Sequence, residues 1–487
     1  MLLITDDEIK MQFQNSLKEE IRAGDIDVNI MSKVDKINQD AQGNNLEDKF
    51  SDALAAIRGF AQSNLKSSVI LSAGMNPRLY SYLAELDAFM PAADASFDKK
   101  IVLKVSDFRS ALIQAKYLAK KGIWISEFRI ESGLNCGGHA FATDGFLLGP
   151  ILEEFKNKKD SLAADLFPSY QQALLERGIA LDSIPEIKYT VQGGIGTALE
   201  QDFLMNYYGF DRTGWGSPFL LVPEATTVDQ DTLNAMADAT AEDFYISDSS
   251  PLGVPFNNFR KSSAERQRLE RIAKGRPGSP CTKKYLVGNK EFTDQPICTA
   301  SREYQHKKIL ALKAEDLPAD LYSQRYDEIT AKTCLCDGLA ASAYLKYNVN
   351  KAKENLAVAI CPGPNTAYFK QSYSLREMVD HIYGRVNLLE QVERPFFFIN
   401  ELHLYIAHIN KYVENNVQMV NDKKEKYLEK FKLQLKDGIS YYQSMKDELS
   451  RFPTALKENI AQQLHDAEKA LENISFQQAK LATIKIF

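Results

Sequence analysis

Trp124-Ile-Ser-Glu-Phe-Arg-Ile-Glu-Ser-Gly-Leu-Asn-Cys-Gly-Gly-His139 runs from a strand-like apolar stretch straight into a glycine pair and a histidine. Alternation along WISEFRIES (124–132) puts Arg129 and Glu131 on one face, as an interior ion pair or as groups reaching a substrate. Two glycines before a histidine let the backbone approach a flat or anionic ligand closely. If the strand is parallel to its neighbours, His139 stands at its C-terminal end, where parallel barrels keep their sites. A structural loop histidine is the competing reading.

Working outward, IDVNIM (26–31), SSVILSAG (67–74) and KIVLKVSD (100–107) precede this strand, and EIKYTVQGG (186–194) and GWGSPFLLV (214–222) follow it. Between them lie helix-period segments such as SALIQAKYLAKKG (110–122) and ALEQDFLMNYYG (198–209), each closed by a glycine where a left-handed C-cap is wanted. Strands separated by helices imply βα units and a parallel sheet, as a barrel or a doubly wound sheet. Two further loops follow strands: Val191-Gln-Gly-Gly-Ile-Gly-Thr197 and Gly214-Trp-Gly-Ser-Pro-Phe219. Backbone N–H groups at such a loop, with a helix behind them, can bind an anion. The last two βα loops of a barrel commonly build a phosphate site. Tight turns without a ligand are the plainer alternative.

Composition narrows the classes. Among 487 residues, 44% are hydrophobic and 25% charged, with a net charge of −6, which excludes a largely disordered chain. No basic block suggests nucleic acid. The longest apolar runs, FLLVP (219–223) and PFFFI (395–399), are too short to span a bilayer. MLLITDDEIK at the N-terminus lacks the pattern of a secretory signal. Six cysteines are sparse for a disulfide scaffold, so a reducing, cytoplasmic setting is expected.

Three regions are expected: a barrel over 1–225, a cysteine-bearing mixed extension over 226–410, and a helical hairpin over 411–487. In the last, Val413, Val417, Val420, Leu428, Phe431, Leu435, Tyr442, Met445 and Leu449 recur at helix spacing until Phe452-Pro453 breaks the run. Leu456, Ile460, Leu464, Leu471 and Ile474 then mark a second helix, suited to packing, self-association or a helical partner.

Five cysteines, Cys281, Cys298, Cys334, Cys336 and Cys361, fall in the extension. Their spacing fits neither a Cys-x-x-Cys zinc ribbon nor a ferredoxin run. Buried thiols, an iron–sulfur cluster and zinc are the three readings. A cluster would need Cys281, Cys298, one of Cys334 and Cys336, and Cys361 to converge. Cys136 reads as a pocket wall, and His306, His403 and His408 read as structural.

The loops also carry a family resemblance. Asn-Cys-Gly-Gly-His139, Gly193-Gly-Ile-Gly-Thr and Gly214-x-Gly-Ser-x-Phe resemble the flavin-binding barrel of nitronate monooxygenases (2-nitropropane dioxygenases). They are still more similar to the trans-acting enoyl reductases of polyunsaturated fatty-acid synthases. The resemblance covers about residues 1–270. It includes Val28-Asn29-Ile30 and Lys104 at strand ends, and Asp243-Phe-Tyr-Ile-Ser through Gly253-Val, similar to the lid of the enoyl reductases.

The resemblance implies a TIM-type (β/α) barrel that binds FMN and acts on a small-molecule or acyl substrate. His139 would be the acid/base beside the flavin. Asn29, Lys104, Gly137, Gly138, Gly193, Gly194, Gly216 and Ser217 would line the cofactor, the last four at its phosphate. Enoyl reduction is the preferred activity. Nitronate oxidation, and a non-catalytic scaffold that keeps the barrel, are the alternatives. Six strands are counted where the family has eight, so the first two are lacking or another segment replaces them.

Overall fold

The computed structural model describes residues 5–21, 24–30, 35–72, 74–349, 352, 354–445 and 448–484. Residues 1–4, Met31 and Ala73, which enter the readings above, lie outside the described residues, as do 485–487.

Six strands form one sheet: β1 (Asp27–Ile30), β2 (Ser67–Leu71), β3 (Lys99–Val105), β4 (Glu127–Glu131), β5 (Lys188–Gln192) and β6 (Arg212–Gly214). All neighbours are parallel and the order is the sequence order. A doubly wound sheet reverses its order at a switch point. This one never reverses, which is the winding of a (β/α) barrel. Both β1 and β6 are edges among the described residues, so the wall has six strands and stays incomplete.

Ion pairs show how far the sheet curls. Arg129 on β4 meets Asp27 on β1 at 2.8 Å and Glu127 at 2.7 Å. On a flat sheet β1 and β4 would lie about 14 Å apart, three strand spacings, beyond the reach of one arginine. Arg212 on β6 also pairs with Asp25, just before β1. The N-terminal rim is therefore drawn together by charge from opposite edges. Arg129 has its answer here, as part of an interior ion network.

A helix fills every crossover: α2 (Asp52–Gln62), α3 (Pro77–Leu83), α4 (Phe108–Ala119), α5 (Leu148–Leu175) and α6 (Ala198–Tyr207), with α1 (Asp7–Glu20) ahead of the first strand. The expected helix after β3 starts where the Asp107 side chain accepts from Ser110 N–H, and Gly122 follows it at φ +74°. Its face of Phe108, Ala111, Ala115 and Leu118 joins Leu103, Phe128, Ile130 and Val191 of the strands in one core.

One strand reading is corrected. The run GWGSPFLLV is not extended. β6 ends at Gly214, and Ser217–Leu221 is a 3₁₀ turn. Pro218 lacks the N–H a ladder needs and favours a helical start, so the apolar FLL inserts as a turn into a second, smaller core with Leu233, Met236, Phe259 and Phe369.

That core belongs to the extension. It holds an antiparallel pair, β7 (Phe244–Ser247) and β8 (Phe256–Phe259), and helices α7 (Gln230–Ala237), α8 (Ser263–Ala273), α9 (Arg302–Ala314), α10 (Ala319–Thr330), α11 (Leu335–Tyr347) and α12 (Leu375–Ile382).

The C-terminal region is α13 (Phe397–Asn416), α14 (Asp422–Ser444), α15 (Thr454–Glu472) and α16 (Phe476–Ile484). α14 ends at Ser444, ahead of the expected break at Phe452-Pro453, and a 3₁₀ turn at Glu448–Arg451 leads through Pro453 into α15. The run read as continuous from 411 is interrupted at 417–421, because Asn421 caps α14 by accepting from Lys424 N–H. Phe397, Phe398, Ile399 and Leu402 of α13 share the barrel's core. At about 2 kcal/mol for each such side chain, this burial anchors α13 firmly.

Candidate functional site at the barrel mouth

The C-terminal ends of the strands carry a polar row. Lys104 Nζ on β3 donates to Glu131 Oε1 on β4 at 3.1 Å, and Gln192 Nε2 on β5 donates to the same oxygen. Gly214 on β6 lies directly against the Gln192 side chain. The Lys104 and Glu131 side chains keep 21% and 19% exposure, so this floor is open to solvent rather than packed shut. Asn29, at the end of β1, is exposed.

Above the floor the glycine-bearing loops meet. Ser132 N–H donates to Gln192 O at 3.1 Å, continuing the ladder beyond β4. A Cβ on Gly193 would stand 2.7 Å from Ser132 Cβ and 2.9 Å from Cys136 Sγ; one on Gly194 would enter the Asn135 side chain. Gly193 and Gly194 have φ of +117° and +75°, so the double turn is accessible to glycine and costly for other residues. Asn135, Cys136, Gly193 and Gly194 thus lie on one rim.

Gly137 and Gly138 face a different partner. Gly138 N–H donates to Cys361 O at 3.1 Å, and a Cβ on Gly137 would lie 2.7 Å from the same oxygen. Gly363 N–H donates to Ser217 Oγ at 3.0 Å. The segment Cys361–Gly363 therefore bridges the first and third loops. Burial pushes the Cys136 and Cys361 thiols up, the latter to about 11. Both are neutral wall residues at neutral pH.

His139 stands at the outer edge of this rim, in an antiparallel bridge with Phe256. Its Nε2 is 2.7 Å from Ser250 Oγ, and the Phe256 ring packs edge-on 5.0 Å away. Ser250 also receives Leu252 N–H at 3.2 Å, which leaves its own proton available to the imidazole. The segment read as lid-like from the sequence, 243–254, supplies Ser250, and Phe256 follows just after it.

Three residues were invisible to sequence reasoning. Glu401 on α13 accepts from Ser132 Oγ at 2.5 Å and Leu148 N at 2.7 Å; complete burial pushes its carboxyl up to about 7. Arg394 donates to Glu200 at 2.6 Å, Asn365 at 2.9 Å and Gly194 O. His381 Nδ1 accepts from Leu388 N–H at 3.2 Å, so Nε2 carries the proton it gives to Gly196 O at 2.8 Å. A glutamate inside the apolar run Phe396–Ile406 was the one available signal.

Glu200 also occupies the N-terminus of α6. It accepts from Gly196 N at 2.8 Å and Thr197 N at 3.2 Å, completing a capping box with Thr197. Those donors, expected for an anion, are held by the chain's own carboxylate. Gly193 and Gly194 are buried, whereas Gly216 is exposed with open space where a side chain would be. The open space at Gly216 and the solvent-exposed floor are therefore where this rim could hold a cofactor, away from the buried Gly193–Gly194 turn.

The cysteines divide. Cys281 and Cys298 are hydrogen-bonded to each other, as are Cys334 and Cys336, and the two pairs feel each other's charge. Cys361 stays at the barrel mouth, so the expected convergence with it does not occur. Among the described residues no group of three or more Cys, His, Asp or Glu stands ready-made around a metal position. Nor is any described helix long and apolar enough to cross a membrane.

No protein-family model matches the chain, and no curated protein does. Solved structures offer a distant likeness. FabK from Thermotoga maritima is 12% identical, with a TM-score of 0.36 over 80% of this chain and 83% of that one. The enoyl reductase domain of MlnA from the macrolactin biosynthesis cluster of Bacillus amyloliquefaciens is 14% identical, with a TM-score of 0.37 over 90% of each chain. The fold stands on the strand order and the ion pairs across the sheet.

Proposed function

We propose that this chain is an enoyl-reductase-like oxidoreductase that uses FMN at the C-terminal mouth of its barrel. One observation carries the reading. The loops that resemble the flavin barrels, from β4, β5 and β6, meet on one rim above the Lys104–Glu131–Gln192 floor. Asn29, Lys104, Gly216 and Ser217 would hold the cofactor. Bound FMN supplies the hydride chemistry.

The protein's own part is positioning and proton transfer. Glu131 fixes the Lys104 ammonium over the floor. His139 is the acid/base that delivers a proton to the substrate carbon next to the thioester carbonyl, and Ser250 holds the ring through Nε2. Cys136 and Phe256 keep that edge apolar. An acyl thioester is preferred over a nitronate because the Gly-Gly-Ile-Gly-Thr loop and the segment carrying Ser250 resemble the enoyl reductases more.

The test is NAD(P)H-driven reduction of a trans-2-enoyl thioester by the FMN-supplemented protein. His139→Ala is expected to lower turnover about 10²–10⁴-fold with folding intact. Unchanged turnover would make the histidine structural.

A second reading rests on Cys361–Gly363 lying across Gly137 and Ser217. In a non-catalytic scaffold that bridge would be permanent, and the protein would be colourless and take up no FMN.

A further inference from the structure

The stretch between α8 and α9, residues 274–301, contains no helix or regular strand. Isolated bridges, Ser279 with Ser301 and Asn289 with Ile297, and ion pairs of Lys283 with Glu354 and Glu291 with Lys308 hold it. Ordering so long a loop is entropically costly. Both its ends carry a cysteine, and both face the start of α11, which carries two more.

Each of the four sulfurs is met by backbone N–H. Cys281 accepts from Lys284, Cys298 from Ala300, Cys334 from Asp337, and Cys336 from both Tyr285 and Leu286. A buried neutral thiol behaves as a small apolar group and needs no such donors. The turn around Cys281 is held in the left-handed region at two non-glycine residues, Cys281 at φ +57° and Lys284 at φ +54°. Such strain persists where surrounding structure demands it. Cys336 receives amides from the far side of the loop, so the two cysteine-bearing segments already interlock.

We propose that Cys281, Cys298, Cys334 and Cys336 form a tetrathiolate site for one zinc ion. The sulfurs stand as two hydrogen-bonded pairs. Zinc at about 2.3 Å from each sulfur holds neighbouring sulfurs about 3.8 Å apart, the scale of a hydrogen-bonded thiol pair. Among the described residues no three such groups already surround a metal position, so loading requires the two pairs to close on each other. A polynuclear iron–sulfur cluster spreads its cysteines farther and fits hydrogen-bonded pairs less well. All four ligands coordinate as thiolates, so loading releases four protons to solvent and tightens as pH rises. Four protein ligands leave no open position, which makes the site structural rather than catalytic. Cys281 and Cys298 line an open cleft of about 1210 Å³, which gives the ion an entry path. The inference is independent of the flavin reading.

The experiment uses the full chain purified anaerobically, with metal analysis, native thiol titration and cobalt substitution. One zinc per chain is expected to survive gel filtration. Four of the six cysteines should resist a thiol reagent until a chelator is added. Cobalt should give sulfur-to-metal charge-transfer bands together with the intense visible bands of a tetrahedral site. Cys281→Ser and Cys336→Ser should each lose the metal, and Cys361→Ser should keep it. The wild-type cobalt spectrum decides the matter even if a serine variant fails to fold. Absence of zinc and of cobalt uptake, metal retained in both serine variants, two disulfides in the reduced preparation, or iron with acid-labile sulfide would overturn the proposal.

Discussion

Arg394 and Glu200 lie 2.6 Å apart with their side chains 6% and 3% exposed, although 194 positions separate them in sequence. The pair clamps the Gly193–Thr197 loop between the barrel and the start of α13. Arg394 reaches Gly194 O, and Glu200 reaches Gly196, Thr197 and Phe397 N–H.

Removing one partner strands a buried charge. Arg394→Met is expected to cost about 3 kcal/mol, the low end for a broken buried pair, because Glu200 keeps three backbone donors. Adding Glu200→Gln should recover part of that loss. Urea unfolding of the single and double variants checks both; equal losses without recovery would mean that the two residues act separately.

Glu401 predicts an unusual pH dependence. Its folded pKa, about 7, lies above the ordinary 4.5, so the folded state binds the proton more tightly than the unfolded chain. This group's contribution is complete below pH 4.5 and is lost as pH rises through about 7. The full swing is about 3 kcal/mol at 1.36 kcal/mol per unit. Glu401→Gln should flatten that part of the stability profile between pH 5 and pH 8, as thermal unfolding across that range would reveal. A variant with the wild-type slope would assign the dependence elsewhere.

Gly194→Ala combines a left-handed φ with collision into Asn135, whose amide bonds Phe397 O at 3.2 Å and Asn400 at 2.9 Å. A loss of about 2–5 kcal/mol is expected from strain plus overpacking. Calorimetry giving less than 0.5 kcal/mol would show that the rim yields easily.

The strands were legible where burial is complete. β2 is buried along its whole length, and its apolar run reads directly as a parallel strand. β6 was misread because FLLV is the more apolar segment, while Arg212-Thr-Gly214 is short and polar at a sheet edge. The β7–β8 pair was hidden by Asn257 and Asn258, which are buried polar residues with partners of their own. The motif loops were placed correctly on one rim because each follows a strand. Their fastening was not legible: Glu401 and Arg394 come from more than 190 positions away, and local pattern carries no information about such contacts. The thiol pairing escaped for the same reason, since Cys334 and Cys336 meet Cys281 and Cys298 only through the packing of α11.

The central claim, that the barrel mouth receives FMN along Gly216–Ser217, is tested most directly by titrating FMN into the purified full chain and following flavin fluorescence. Gly216 has φ −110° and open space at its side-chain position, so Gly216→Leu should fold with stability within about 0.5 kcal/mol of wild type. The account predicts saturable uptake of one FMN per chain by the wild type and loss of that uptake in Gly216→Leu. A wild-type chain that binds no FMN, or a Gly216→Leu variant that binds it equally well, would contradict it.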